Sequence, residues 1–92
     1  MRLTVPRNTS IPVIRRLLTE GRGGFNRARI ITVLRVGPMN LSQLCAQLEL
    51  DYRTVRQHLE VLENSELIRT EGSGNSTIFY LTESLENILK KS

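Results

Sequence analysis

The tightest constraint on the fold lies in residues 41–64, LSQLCAQLELDYRTVRQHLEVLEN, where two apolar stripes at helical spacing are separated by a break of three residues. Leu41, Leu44, Cys45 and Leu48 recur at intervals of three and four, so they share one face of a short helix over 41–48. Val55, Leu59 and Leu62 repeat the stripe at i, i+4 and i+7 in a second helix over 52–64. Asn40 with Gln43 three residues later predicts a variant capping box for the first helix, and Asp51 predicts an N-cap for the second. Two helices joined by Glu49-Leu50-Asp51, with Leu50 expected to be buried between them, make a helix-turn-helix.

The spacing that turns Val55 inward places Arg53 and Gln57 nearly opposite it, with Thr54 and Arg56 on their flanks. One face of this helix packs while the start of the other presents side chains that reach base edges and phosphates. That combination is what a reader of the DNA major groove needs. Tyr52 opens the helix, and its residue type allows two roles, a hydroxyl for a phosphate or a ring packed beside Val55 and Leu59.

The remaining segments fit around this pair. Residues 1–10 are polar and extended, with Pro6. Val13, Ile14, Leu17 and Leu18 predict a helix over 11–20, with Ser10 as N-cap and Pro12 in its first turn. Gly21, Gly23 and Gly24 are expected to end it and form a bend. Asn26 is expected to cap a helix over 27–36 with Ile30, Ile31, Val33 and Leu34 inward, closed by Gly37 and Pro38. After the helix-turn-helix, 67–70 and 77–81 read as strands around a turn-rich loop, and 83–91 as a helix carrying Leu85, Ile88 and Leu89 on one face. Lys90 and Lys91 suit the C-terminal end of its dipole. The expected fold is mainly α with a small β-hairpin, a winged helix-turn-helix with extra N- and C-terminal helices. Ninety-two residues make one domain, divided into a 1–24 extension, a 25–82 core and an 83–92 terminal helix.

Charge is distributed unevenly. Residues 1–56 hold ten Arg and three acids, a balance of +7, while 57–92 hold three bases and six acids, a balance of −3, which together give the net +4. The positive excess covers the N-terminal half and the start of the reading helix, as an anionic partner requires. Eleven of the thirteen bases are Arg, whose planar fork suits phosphate and guanine better than the point charge of Lys. No stretch approaches the roughly 20 apolar residues of a membrane span, and the N-terminus lacks the apolar region of a signal peptide. A soluble cytoplasmic protein is expected, so the sequons at Asn8 and Asn75 are read as chance. The single Cys45 forms no internal disulfide and is expected in the core.

The string YRTVRQHLEVLENSELI resembles the T-V-x-x-H-L-x-x-L-x-x-x-x-L-I/V signature of ArsR-like winged-helix regulators. The preceding RGGFNRARIITVLRVGPMNLSQLCAQLELD is similar to an archaeal branch of that superfamily, whose members carry R-G-G-x-N-R, then P-M-N, then L-D-Y-x-T-V. The resemblance covers roughly residues 22–86. It implies a dimeric DNA-binding regulator whose helix 52–64 enters the major groove and whose 71–76 hairpin touches the flanking backbone. Many such proteins sense metals through paired cysteines at the start of the helix-turn-helix; here Met39-Asn40-Leu41-Ser42 stands there, so metal sensing is not carried over. Cys45 and His58 supply too few ligands for a closed zinc centre.

Tyr52, Arg53, Thr54, Arg56 and Gln57 are therefore the expected DNA contacts, supported by Ser42 and Gln43 at the start of the preceding helix, by Arg27, and by Arg69 as the one base of the hairpin. For Arg27 and Arg29, phosphate binding and anchoring of the glycine-rich bend stand equal. His58 is favoured as structural. Without a Ser-His-Asp or Cys-His set, a phosphate loop or a metal-ligand cluster, neither an enzyme nor a cofactor is expected. The function expected is sequence-specific regulation of transcription by a homodimer joined through its terminal helices. The competing reading is a winged-helix module for protein–protein interaction in a larger assembly. RNA binding is disfavoured, since Phe25, Tyr52, Phe79 and Tyr80 make a poor stacking platform.

Overall fold

A computed structural model describes residues 11–90, apart from the side chains of Ile11, Val13 and Arg22. The elements run α1 (Ile11–Thr19), α2 (Gly21–Val36), β1 (Met39–Asn40), α3 (Leu41–Leu48), α4 (Tyr52–Asn64), β2 (Ile68–Glu71), β3 (Ile78–Leu81) and α5 (Glu83–Lys90). The expected Ser10 cap and Lys91 lie outside the described residues.

The largest departure from expectation is at the glycines. They do not end a helix and form a separate bend. Gly21, with φ of 68°, reverses the chain in one step, and α2 begins there, five residues ahead of the expected Asn26 cap. Gly24 lies inside α2 because α1 crosses it closely: a Cβ on Gly24 would meet the Thr19 carbonyl carbon at 2.8 Å. Glycine in a helix costs about 1 kcal/mol in propensity, and here close packing of α1 on α2 offsets that cost. Asn26 caps nothing, and its Oδ1 accepts from Arg29 Nη1 at 3.4 Å within the same helix. The expected division between residues 24 and 25 thus falls inside one continuous helix.

The helix-turn-helix forms as its spacing predicts. Asn40 Oδ1 accepts from the Gln43 N–H and Gln43 Oε1 accepts from the Asn40 N–H, both at 2.8 Å, a complete capping box. Glu49 takes a left-handed conformation (φ 55°) that ends α3, and Asp51 caps α4. Leu44 and Leu48 of α3 and Val55, Leu59 and Leu62 of α4 are buried, joined by Ile30, Ile31 and Leu34 of α2. Leu50 is half-buried in the turn.

The sheet holds one more strand than expected. β3 is central, with β1 and β2 on either side, all antiparallel. β1 pairs Met39 with Phe79 and Asn40 with Ile78. A two-residue strand has no readable period, and Pro38 before it leaves only an edge position. In the hairpin Ile68 faces Leu81, and Arg69 faces Tyr80. Leu67 lies just outside β2, fully buried, and its carbonyl accepts from the N–H of Thr82 at 3.0 Å. Thr82 itself is buried; its hydroxyl donates to the Glu66 carbonyl at 2.9 Å and accepts from the Leu85 N–H at 3.3 Å, so it caps α5 while fastening it to the base of the hairpin. Leu85 then enters the core.

Candidate nucleic-acid interface

The site is built on the first two turns of α4. Asp51 Oδ2 accepts from the Thr54 N–H at 3.0 Å and Oδ1 from the Thr54 hydroxyl at 2.5 Å. Those bonds, the hydroxyl foremost, hold the Asp51 carboxyl below its ordinary range, so the cap stays ionised at the positive end of the helix. The Thr54 hydroxyl is thereby engaged within the cap, and a partner would meet the rest of that half-buried side chain.

Arg53, Arg56 and Gln57 are exposed, and no ion pair to an acid engages them among the described residues. Tyr52 is 57% exposed, so its ring is not packed into the core beside Val55 and Leu59. Instead the Arg56 guanidinium lies over it, 5.9 Å from the ring centroid. Tyr52, Arg53, Arg56, Gln57 and Glu60 line a shallow trough along the outer face of α4. A second cleft, of about 390 Å³, opens between α4, the start of α3 and the hairpin, with Ser42, Tyr52, Arg56, Glu60, Asn75 and Thr77 among its walls.

The structure thus brings Ser42 across a cleft from Tyr52 and Arg56, beside Arg53 and Gln57. Gln43, Arg27 and Arg69 line neither cleft. Gln43 is exposed at the start of α3, its carbonyl oxygen tied into the capping box and its amide NH₂ left over. Arg69 is exposed on β2. Arg27 is half-buried and donates from Nε to the Leu17 carbonyl at 2.6 Å, which fastens α1 to α2. Of the two roles open to it, anchoring is the one its geometry performs. Arg29 does likewise, donating from Nη2 to the Leu48 carbonyl at 2.8 Å, with Phe25 beneath it at 5.7 Å.

His58 is half-buried against α2, its Cε1 only 3.2 Å from where a Cβ on Gly23 would stand. Burial first, and the charge of Arg27 second, push its pKa down, so the ring is neutral near pH 7. Cys45 is half-buried, and burial, then the charge of Asp51, pushes its thiol up, which favours the protonated form. Among the described residues no group of three or more His, Cys, Asp or Glu is placed to hold a metal ion, and no helix is long and apolar enough to cross a membrane.

Glu60 and Glu63, which read from the sequence as a solvated flank of the helix, are exposed and line the cleft. They follow Tyr52 and Arg56 along α4, beside the reading surface. Their i+4 and i+7 spacing from Arg56 was the signal for that placement.

A three-helix core with a helix-turn-helix, followed by a hairpin that pairs back onto the strand before α3, is a winged helix-turn-helix. Residues 26–70 match the family model described as bacterial regulatory protein, arsR family. The chain is similar in fold to the transcriptional regulator HlyU from Vibrio vulnificus, with a TM-score of 0.70 and 22% identity over 92% of this chain and 86% of that one. It is similar too to a homodimeric winged helix-turn-helix DNA-binding domain from Mycobacterium bovis, a possible ArsR-family regulator, with a TM-score of 0.69 and 13% identity over 99% of this chain and 85% of that one. A possible transcriptional regulator for arsenical resistance matches with a TM-score of 0.58 and 22% identity, over 71% of this chain and 72% of that one. At these identities the likeness is one of fold. Among curated proteins none matches the sequence significantly.

Proposed function

We propose that this chain is a sequence-specific regulator of transcription that binds double-stranded DNA as a symmetric homodimer. One observation carries the reading: the first two turns of α4 present Arg53, Arg56 and Gln57 to solvent, with no acid paired to them among the described residues, at the point where a winged helix meets the major groove. Tyr52 and Thr54 complete that surface; Ser42, Gln43 and Arg69 are the proposed supporting contacts, while Arg27 anchors α1 to α2. Two copies would place their α4 helices in successive major grooves about 34 Å apart on a near-palindromic site. The half-buried Leu17 and Leu18 of α1, with Leu89 of α5, supply the apolar surface proposed to join the two copies. The proposed domain is the whole of 1–92, acting in the cytoplasm without a cofactor and without catalysis. The R-G-G-x-N-R, P-M-N and L-D-Y-x-T-V strings support placement in an archaeal-type branch of the regulators.

Selection from random duplex DNA, followed by titration of the enriched duplex, tests this reading. Wild-type binding is expected to weaken steeply with salt, because each neutralised phosphate releases counterions. Arg53→Ala and Arg56→Ala are each expected to weaken it further. Binding that ignores salt and both substitutions would refute the proposal. The alternative, a protein-interaction module, draws on Phe25 and Val36 of α2, which stand 69% and 85% exposed. It predicts no enriched duplex at all.

A further inference from the structure

The two arginines of the reading helix are not equivalent. At about 100° per residue, and counting from Tyr52, the buried Val55, Leu59 and Leu62 centre near 310°. The direction straight out from the core is then near 130°, and Arg53 at about 100° and Gln57 at about 140° straddle it. Arg56 lies at about 40°, on the edge that faces the hairpin. The clefts agree with this arithmetic: Arg56 lines the one shared with Asn75 and Thr77 of the hairpin, whereas Arg53 and Gln57 line only the outer trough.

Arg56 also has a neighbour that Arg53 lacks. Side chains on a helix lean toward its N-terminus, so the stem of Arg56 runs back over Tyr52, one turn earlier, and the guanidinium comes to rest above that ring. Just beyond Arg56 stand Glu63 at about 20°, on the same edge, and Glu60 at about 80°, which lines both clefts. A phosphate approaching the hairpin side of α4 is attracted at Arg56 and repelled one turn further on. Its position along the helix is therefore defined by charge.

Resting on the DNA-binding reading above, we infer that Tyr52 and Arg56 form one unit, with the ring holding the guanidinium on the hairpin-facing edge to seat a backbone phosphate, and that Arg53 and Gln57 read the bases. Tyr52 is then a positioning residue that acts through Arg56. The same placement makes Arg56 the contact that sets register, and it leaves discrimination between sequences to the outward pair.

The test measures the affinity of each variant for the selected duplex and for a scrambled duplex of equal length, across a salt series. All three substituted positions are exposed, and unchanged melting of each variant, followed by circular dichroism, confirms that it is folded. Arg56→Ala is expected to weaken both duplexes by the same factor and to make the slope of log affinity on log salt shallower by about one. Arg56→Lys keeps the charge and restores the salt slope, while recovering only part of the affinity, because the planar fork is lost. Arg53→Ala is expected to lower the selected-to-scrambled ratio by roughly fivefold or more, the loss of one good base contact. Tyr52→Phe behaves as wild type, Tyr52→Ala reproduces part of the Arg56→Ala loss, and adding Tyr52→Ala to Arg56→Ala changes nothing further. An Arg56→Ala variant that loses selectivity at unchanged slope overturns the assignment, as does full additivity of the two alanines. A wild-type chain that binds no duplex at all overturns the underlying reading instead.

Discussion

Arg29 of α2 donates from Nη2 to the carbonyl of Leu48, 2.8 Å away in the last turn of α3. That carbonyl is one of the four that the end of any helix leaves without an intrahelical partner. A charged donor from the neighbouring helix satisfies it and fixes the angle at which the helix-turn-helix leaves α2. Arg29→Met keeps much of the stem and removes the donor, so it is expected to lower unfolding free energy by about 1–3 kcal/mol. Urea denaturation measures this, and a variant as stable as wild type would show that the bond contributes nothing.

Gly24 offers a contest between two known magnitudes. Replacing a helical glycine by alanine ordinarily gains about 1 kcal/mol in propensity. At Gly24 the new methyl would stand 2.8 Å from backbone of Thr19, which has no rotamer to yield. Overpacking of this kind costs about 1–3 kcal/mol, so Gly24→Ala is expected to destabilise the fold and loosen α1 from α2. Gly37, extended and with nothing near its missing Cβ, is the control, and Gly37→Ala is expected to be nearly neutral. Thermal melting of the two variants compares them directly.

Thr82 ties the start of α5 to the base of the hairpin through one hydroxyl. Thr82→Val preserves its shape and leaves the Leu85 N–H without a partner in a buried setting. The expected loss is about 1–2 kcal/mol. Thr82→Ser should restore most of it, because the oxygen returns. Denaturant midpoints for the three proteins decide the matter.

His58 makes stability depend on pH with a definite sign. Its folded-state pKa lies below the ordinary 6.5, because burial and Arg27 both oppose the charged ring. As pH falls the unfolded chain takes up the proton first. The stability that the neutral ring contributes is thus fully present above pH 6.5 and is lost as pH drops through the lower, folded-state value. His58→Gln is expected to reduce the fall in denaturant midpoint between about pH 7.5 and 5.5. An identical fall in both proteins would exclude this origin.

What the sequence could reveal divides along physical lines. α3, α4 and their caps were legible because apolar spacing and capping chemistry are local, and Asn40, Gln43 and Asp51 do what their positions promise. The start of α2 was not, because Gly21, Gly23 and Gly24 carry opposite meanings for a turn and for a close helix crossing, and only the presence of α1 decides between them. β1 escaped because two residues have no periodicity. At the candidate site, the exposure of Arg53, Arg56 and Gln57 followed from the stripe beneath them. The anchoring of Arg27 to Leu17 and of Arg29 to Leu48 spans ten and nineteen residues, beyond any local signal.

Asn40 is at once the last residue of β1, paired with Ile78, and the residue whose side chain caps α3. Hairpin and helix pair are thus welded at a single amino acid, and leverage on one is delivered to the other without slack.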